Sequence, residues 1–546
     1  MTTESLYKSG FSPARTARKH FFAFALAILA GAVLFTYWGA FGGDFVWDDI
    51  AFIAANGFLD DPANLTKILA SGDTVGLGEG VHNPYYRPVT TLTFALEKLL
   101  WDIDPTGYHV TNVLLHLLVC FLIFAAARKM MGSPQALLAA LIFAVHPANS
   151  EPVVYISARA DLICALFMTA AFYFHLKSEE KDKSLNFILS MAAFTLALFS
   201  KIVAGVFPLI ILWRLYSLGR PKGEVALKFA HYAAVAAVFL IIRSLVLPVE
   251  SWGQSPLETR VATSATTLAT YLRHALLPFD LKVFYDFPIR TTLADPVVIS
   301  SWALVIAVIA SAFLLRKKMP AVSLGIIWFF AGLLPVCGLA MILSPTVIAD
   351  RYLYIPLIGV SMALSSAAVF IYERRLSTRN IPALKAVVAA FIILSASYTT
   401  ARVDVWNTDE SFWRRAIKDA PELTMPYKNY AFSLARAGKT DEAESRFLML
   451  KAMGIIDPKI DINLSKIYLA RNDIERSVKY AENALAMNVA DSGTLAWYGC
   501  VMLANGNLVL ARRASEKALE GNKYNYLALD NIAQIDRIEG NNGGAN

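Results

Sequence analysis

Charge is scarce in this 546-residue chain. Only 17% of its residues are Asp, Glu, Lys or Arg, against 56% hydrophobic, and the mean hydropathy is +0.48. That balance excludes an ordinary soluble protein and points to a polytopic membrane protein. A net charge of +7 is modest for a nucleic-acid binder. No basic patch with interleaved aromatics and no nucleic-acid motif occurs, so nucleic acid is not expected as a partner. Basic cytoplasmic loops account for the excess instead. Cysteine is equally rare. Cys120, Cys164, Cys337 and Cys500 keep neither a zinc nor a disulfide spacing, which leaves them as small buried hydrophobes.

What the chain does have is apolar runs. A spanning helix needs about 20 mostly apolar residues. By that rule, eleven spans fall near 21–39, 110–127, 134–148, 160–176, 185–200, 202–217, 226–248, 297–315, 320–343, 353–373 and 384–400, the third and fifth being short. A basic tail over residues 1–20 (Lys8, Arg15, Arg18, Lys19) precedes the first run. That run is long for a signal peptide and lacks a small-x-small cleavage site. It reads as an uncleaved span with a cytoplasmic N-terminus. Alternate loops then carry the basic residues, among them Arg128, Lys129, Lys177, Lys181, Arg214, Arg220, Arg316, Lys317, Arg375 and Arg379, as cytoplasmic loops should. An odd number of spans places everything after Thr400 on the extracytoplasmic side.

The tail repeats. Ala431, Ser465, Gly499 and Ala533 recur every 34 residues, as do Gly438, Asn472, Gly506 and Gly540. Ala443, Ser477 and Ala511, and Leu450, Ala484 and Ala518, keep the same period. Small residues at fixed offsets match the helix–turn–helix tetratricopeptide repeat, in which paired helices approach closely. After a linker or helix over 401–425, three repeats and part of a fourth fill 426–540, and 541–546 is expected to be a disordered end.

Candidate chemistry gathers in the loops beside the spans. Loop 40–108 carries Asp48 and Asp49. Adjacent carboxylates directly outside a span are costly unless they face water, a cation or a substrate. Residues 59–69, 89–100 and 262–277 have helical periodicity and are expected to lie on the membrane, roofing a cavity. A second long outer loop, 249–296, includes Tyr285 and Asp286, weak candidates for a gate. Lys201 sits between two apolar runs at the outer interface. His109, Asn112 and His116 share a helix face, where hydrogen bonding inside the bundle outweighs a metal site. His146 and Glu151 mark a span's outer end. Arg159 and Asp161 read as an ion pair holding a loop.

Several short motifs occur in order: Val46-Trp47-Asp48-Asp49, Tyr86-Arg87-Pro88, Gly107-Tyr108-His109, His146-Pro147 with Glu151, Ala158-Arg159-Ala160-Asp161, Ser200-Lys201 and Asp350-Arg351-Tyr352-Leu353-Tyr354. Together with the repeat tail they resemble the transmembrane and tetratricopeptide-repeat-containing O-mannosyltransferases and their bacterial relatives. The resemblance covers nearly the whole chain. It implies an all-α fold: a polytopic bundle of about eleven spans (21–400) of the C-type glycosyltransferase kind, then a repeat solenoid, set in a bacterial-type inner membrane with a periplasmic tail. It also implies transfer of a single mannose-like sugar from a polyprenyl-phosphate-linked donor to Ser or Thr of a protein acceptor held by the repeats. The reaction would invert the sugar, with Asp48 or Asp49 as general base. Lys201, Arg351 and Arg87 would stabilise the leaving phosphate. His109, His146, Glu151, Arg159, Asp161 and Tyr352 are weaker cavity residues. No cofactor is expected to be required, and a divalent cation is left open. Two other readings stand beside it: a lipid or polysaccharide acceptor, or a non-catalytic scaffold.

Overall fold

The structure is a computed structural model that describes residues 13–70, 85–180, 183–247, 255–339, 347–374, 381–487 and 491–543. Lys8, Pro84, Lys181, Arg375 and Arg379 therefore lie outside the described residues. Among the described residues every regular element is helical. The chain divides into two compact units, Met1–Arg415 and Ala416–Asn546.

In the first unit the helices are α1 (Pro13–Tyr37), α2 (Pro88–Trp101), α3 (Pro105–Ala127), α4 (Ser133–Ala144), α5 (Ser150–Val154), α6 (Arg159–Ser178), α7 (Lys183–Ser200), α8 (Phe207–Ser217), α9 (Lys222–Val246), α10 (Leu257–Leu276), α11 (Pro296–Leu315), α12 (Pro320–Leu333), α13 (Tyr354–Arg374), α14 (Ile381–Val403) and α15 (Asp409–Asp419). The last of these runs on across the boundary. Local sequence sets several starts. Asp104 and Asp295 each accept a hydrogen bond from a backbone N–H two residues on, with Pro105 and Pro296 opening the helix behind them, the arrangement expected of an N-cap followed by proline. Where α12 crosses α13, a Cβ on Gly325 would come within 2.3 Å of the Gly359 carbonyl oxygen. Only glycine lets the two backbones meet there.

The structure has helices in all eleven predicted segments, but not eleven full spans. Among the described residues, eight helices are long and apolar enough to cross a membrane, and nine if Ser133–Ala144 and Pro147–Val154, bent by 54°, count as one. Ile202–Ser217 and Pro320–Leu333 are shorter, whereas the fifth segment, expected to be short, passes as Lys183–Ser200. The difference is one of length: Ile202–Ser217 fills a predicted segment that is itself short for a span, and α12, which starts at Pro320 as predicted, stops at Leu333.

The helices alternate in direction, and their ends show it. At one end of the bundle the segments that follow α1 and α14 meet through Asp44–Asn407, and hydrogen bonds join the C-terminal ends of α7 and α14 to the N-terminal ends of α2, α6 and α13 through Thr90–Ser200, Lys201–Asp161 and Arg402–Asp350. The C-terminal ends of α3, α6 and α8 meet at the other end through Lys129–Glu180 and Arg214–Glu179. Helix α2 turns its apolar stripe outward, the face a helix lying on the membrane offers to lipid. Leu92, Leu96, Leu99 and Leu100 are exposed, while Thr90, Thr91, Phe94, Ala95 and Glu97 are buried.

The second unit contains α16 (Thr424–Arg436), α17 (Thr440–Ala452), α18 (Pro458–Ala470), α19 (Ile474–Met487), α20 (Ser492–Ala504), α21 (Leu508–Gly521) and α22 (Tyr526–Gly543). Gly438, Asn472 and Gly506 all have positive φ, at 73°, 58° and 78°. After each, the next N–H reaches back to Leu434, Tyr468 or Met502, as a left-handed helix stop requires. Ala431, Ser465 and Gly499 are buried. A Cβ on Gly499 would stand 2.5 Å from Ser515 Oγ. The fourth set departs from the period: Ala533 is exposed and Gly540 lies inside α22, because no later helix packs on that face among the described residues. The expected disordered end is helical as far as Gly543.

Candidate active site

The polar end of the bundle is organised on a tight turn, Val46–Asp49. The Asp49 N–H donates to the Val46 carbonyl at 3.1 Å, and the Val46 N–H donates to Asp49 Oδ2 at 3.1 Å. Trp47 adopts φ 56°, a conformation rarely taken by a bulky residue. The two carboxylates have different surroundings. Asp49 is 1% exposed, and its Oδ1 accepts from the Ser157 N–H at 2.7 Å and the Ser157 hydroxyl at 2.5 Å. Burial outweighs these donors and lifts its carboxyl to about 7. Asp48 is half-buried, and its Oδ2 accepts from the Tyr155 hydroxyl at 2.8 Å. Burial raises the Asp48 carboxyl, while the Tyr155 hydroxyl and the charges of Arg351 and Arg87 act the other way. One aspartate locks the turn, and the other faces the cations.

Two of the three expected phosphate ligands are already paired. Lys201 Nζ donates to both oxygens of Asp161, at 2.6 and 2.7 Å. Arg351 donates to Glu151 through its guanidinium and, at 3.1 Å, through its backbone N–H. The Tyr352 ring lies 5.1 Å from the Arg351 guanidinium and 5.6 Å from Lys201 Nζ, so Tyr352, Glu151 and Asp161 all join the site. Arg87 is half-buried and lies 4.1 Å from the centre of the Tyr85 ring. It opens on a small cleft shared with Phe52, Thr90, Thr91, Phe94 and Ser157.

Other expectations are corrected. Arg159 does not pair with Asp161. It is fully buried, bonded to Glu97, to Asn112 Oδ1 at 2.7 Å and to the Tyr108 carbonyl at 2.9 Å. Residues two apart on a helix point to different sides, so Arg159 and Asp161 find separate partners. His146 uses both ring nitrogens on backbone, the Ala275 carbonyl at 3.2 Å and the Ala148 N–H at 3.2 Å, and so caps a helix break instead of facing the cavity. His109 is buried against Gly43, whose added Cβ would stand 2.9 Å from its Nε2. His116 bonds the Tyr354 hydroxyl at 2.7 Å and the Ala144 carbonyl at 3.0 Å, as internal hydrogen bonding predicts. Tyr285 is no free gate: its hydroxyl donates to Asp350 Oδ1 at 2.6 Å, and Asp350 Oδ2 accepts from Arg402 at 2.6 Å.

Sequence reasoning missed Tyr155, Ser157, Glu97 and Arg402. Tyr155 and Ser157 lie between the Glu151 and Arg159 motifs, and that spacing was the available signal. Arg402 follows the last apolar run and looked like an ordinary flanking cation.

A family model described as dolichyl-phosphate-mannose-protein mannosyltransferase matches residues 88–252. Human protein O-mannosyl-transferase TMTC3 is 32% identical over 162 residues, 29% of this chain and 18% of that protein. A Caenorhabditis elegans protein O-mannosyl-transferase is 24% identical over 437 residues, 77% of this chain and 61% of its own. Over these stretches the chain is similar in sequence to protein O-mannosyl-transferases. It spans less than two thirds of the length of each of these two relatives. The O-mannosyltransferase match over 88–252 takes in Glu151, Arg159, Asp161 and Lys201 and leaves Asp48, Asp49, Arg87 and Arg351 outside it. Among solved structures, the apo Archaeoglobus fulgidus oligosaccharyltransferase aligns over 76% of this chain and 60% of that one, at 11% identity and a TM-score of 0.43.

Proposed function

We propose that the chain is an integral-membrane glycosyltransferase that moves one mannose-like sugar from a polyprenyl-phosphate donor to Ser or Thr hydroxyls of extracytoplasmic proteins. One observation carries the reading. Asp48 stands half-exposed on a rigid turn, held at one oxygen by Tyr155 and acted on by the charges of Arg351 and Arg87. In the proposed step, Asp48 takes the acceptor hydroxyl proton as that oxygen bonds to the anomeric carbon. The bond from that carbon to the phosphate oxygen breaks, and the polyprenyl phosphate leaves with the electron pair. A single displacement inverts the sugar. Arg87, open to the cleft, is the first contact for the leaving phosphate, with Arg351 and Lys201 behind it. The scheme invokes no cofactor, and a divalent cation is a variable of the assay.

The donor class is supported by the description of the family model, and the protein acceptor by the names of the relatives. The helix pairs of the second unit, with left-handed stops 34 residues apart, support tetratricopeptide repeats that hold the acceptor. Basic loops at the end of the bundle opposite Asp48 support an N-terminus in the cytoplasm and a periplasmic tail in a bacterial-type inner membrane. Glycopeptide mass spectrometry of extracytoplasmic proteins tests the reading. Asp48→Ala, expressed at the wild-type level, should remove a hexose mass from particular Ser/Thr peptides. If those peptides are unchanged while a glycolipid loses its sugar, the acceptor is a lipid. If nothing changes, the membrane unit is an anchor.

A further inference from the structure

The catalytic turn is held by a part of the chain that reads in sequence as a mere connector. Asp404–Trp406 and the first residues of α15 are the last of the first unit. Their side chains close around both flanks of Asp48. Asp409 Oδ1 accepts from the Trp47 backbone N–H at 3.0 Å and from Trp413 Nε1 at 2.9 Å. The Trp47 ring stacks near-parallel with Phe412 and with Tyr155, with centroids 5.6 and 5.8 Å away, and meets Trp413 edge-on. Trp406 stacks on Tyr155 at 5.2 Å. Tyr155 is the residue that donates to Asp48, and Trp47 is the residue before it.

Trp47 holds its φ of 56° with no glycine to ease it. A bulky side chain keeps such a conformation only where its surroundings over-determine it, and such outliers gather at functional sites. Here the bond to Asp409 fixes the amide, and the stack fixes the ring. Together they set the direction in which the next residue, Asp48, projects. We infer that residues 404–413 form a wall of the active site and that Asp409 is a positioning residue for Asp48, acting through the Trp47 N–H. The inference deepens the proposed transfer reaction and rests on it for its catalytic readout, while its geometric readout does not.

The test uses the full-length protein in detergent or vesicles, with synthetic polyprenyl-phosphate mannose and a Ser/Thr peptide. Asp409→Ala should lower kcat at least about tenfold with the donor KM nearly unchanged, since misplacing a catalytic group by about 1 Å costs roughly 10²-fold. Asp409→Asn keeps an acceptor oxygen for both N–H groups and should retain most of the rate. Amide hydrogen exchange at residues 46–50 gives the readout that needs no turnover. It should quicken by at least about tenfold in Asp409→Ala, with the spanning helices unchanged, and return to wild type in Asp409→Asn. Wild-type exchange in Asp409→Ala overturns the inference. So does a loss of rate that Asp409→Asn fails to rescue in a folded protein. If the wild type transfers nothing, the reaction reading falls, while the exchange data still decide the positioning.

Discussion

Asp48 and Asp49 are neighbours in sequence with opposite surroundings, and that difference divides the labour between them. Asp48→Asn keeps the bond from Tyr155 but removes the proton acceptor. Transfer should fall by about 10²–10⁴-fold, the usual worth of a general base, in a single-turnover assay with donor binding intact. Asp49 answers to a different measurement. Burial lifts it to about 7, whereas an exposed aspartate titrates near about 4, so the folded protein retains a proton that the unfolded chain has released. The stability this contributes is full below about pH 4 and is lost as pH rises through about 7. The thermal midpoint of the wild type should therefore fall from pH 4.5 to pH 8, relative to that of Asp49→Asn at the same pH values. Sequence could single out the pair because carboxylates beside a span are rare. It could not say which one faced the site, because the answer lies in Ser157 and Tyr155, more than a hundred residues away.

At the scale of elements, buried ion pairs tie helices together, and most were hidden from sequence for the same reason. Lys201 at the end of α7 meets Asp161 in α6 across 40 residues, and Arg159 meets Glu97 of α2 across 62. Periodicity located all three helices that carry these pairs, but it carries no information about which polar residue finds which. Removing one partner leaves a buried charge behind, at a cost of about 3–5 kcal/mol. Lys201→Ala should thus be strongly destabilised in detergent, and adding Asp161→Ala should recover most of the lost thermal midpoint. The recovered double variant then reports on phosphate binding alone, by whether its donor KM has risen. Arg159→Met should be as damaging as Lys201→Ala, and Glu97→Gln should relieve part of it. The apolar stripe of α2 was legible in sequence, and its leucines face outward as a membrane-surface helix requires; what was not legible is that Glu97 turns in to meet Arg159.

For the whole molecule, the division into two units sets separate expectations for chemistry and for recruitment. All the proposed reacting groups belong to Met1–Arg415, and the helix pairs belong to Ala416–Asn546. Deleting Met425–Asn546 should spare transfer to a short soluble peptide and abolish transfer to folded protein acceptors, a contrast read by comparing the two substrates in one membrane preparation. Small residues 34 apart made the second unit visible in sequence, because close helix packing tolerates little else at those sites. The number of full spans was less legible, because hydropathy counts apolar length and does not see the bend after Ala144 or the stop of α12 at Leu333.

Lys201, Arg351 and Arg402 each arrive at the end of the bundle that carries Asp48 with a carboxylate already in hand. A reaction that leaves a phosphorylated carrier behind must also let it go. Cations committed to internal partners hold a departing anion loosely, where a cluster of unpaired cations would trap it as a product inhibitor. Buried pairs are also screened little by salt, so raising the ionic strength should leave these three pairs closed and weaken only the contact of the spent carrier with half-buried Arg87, speeding its exchange.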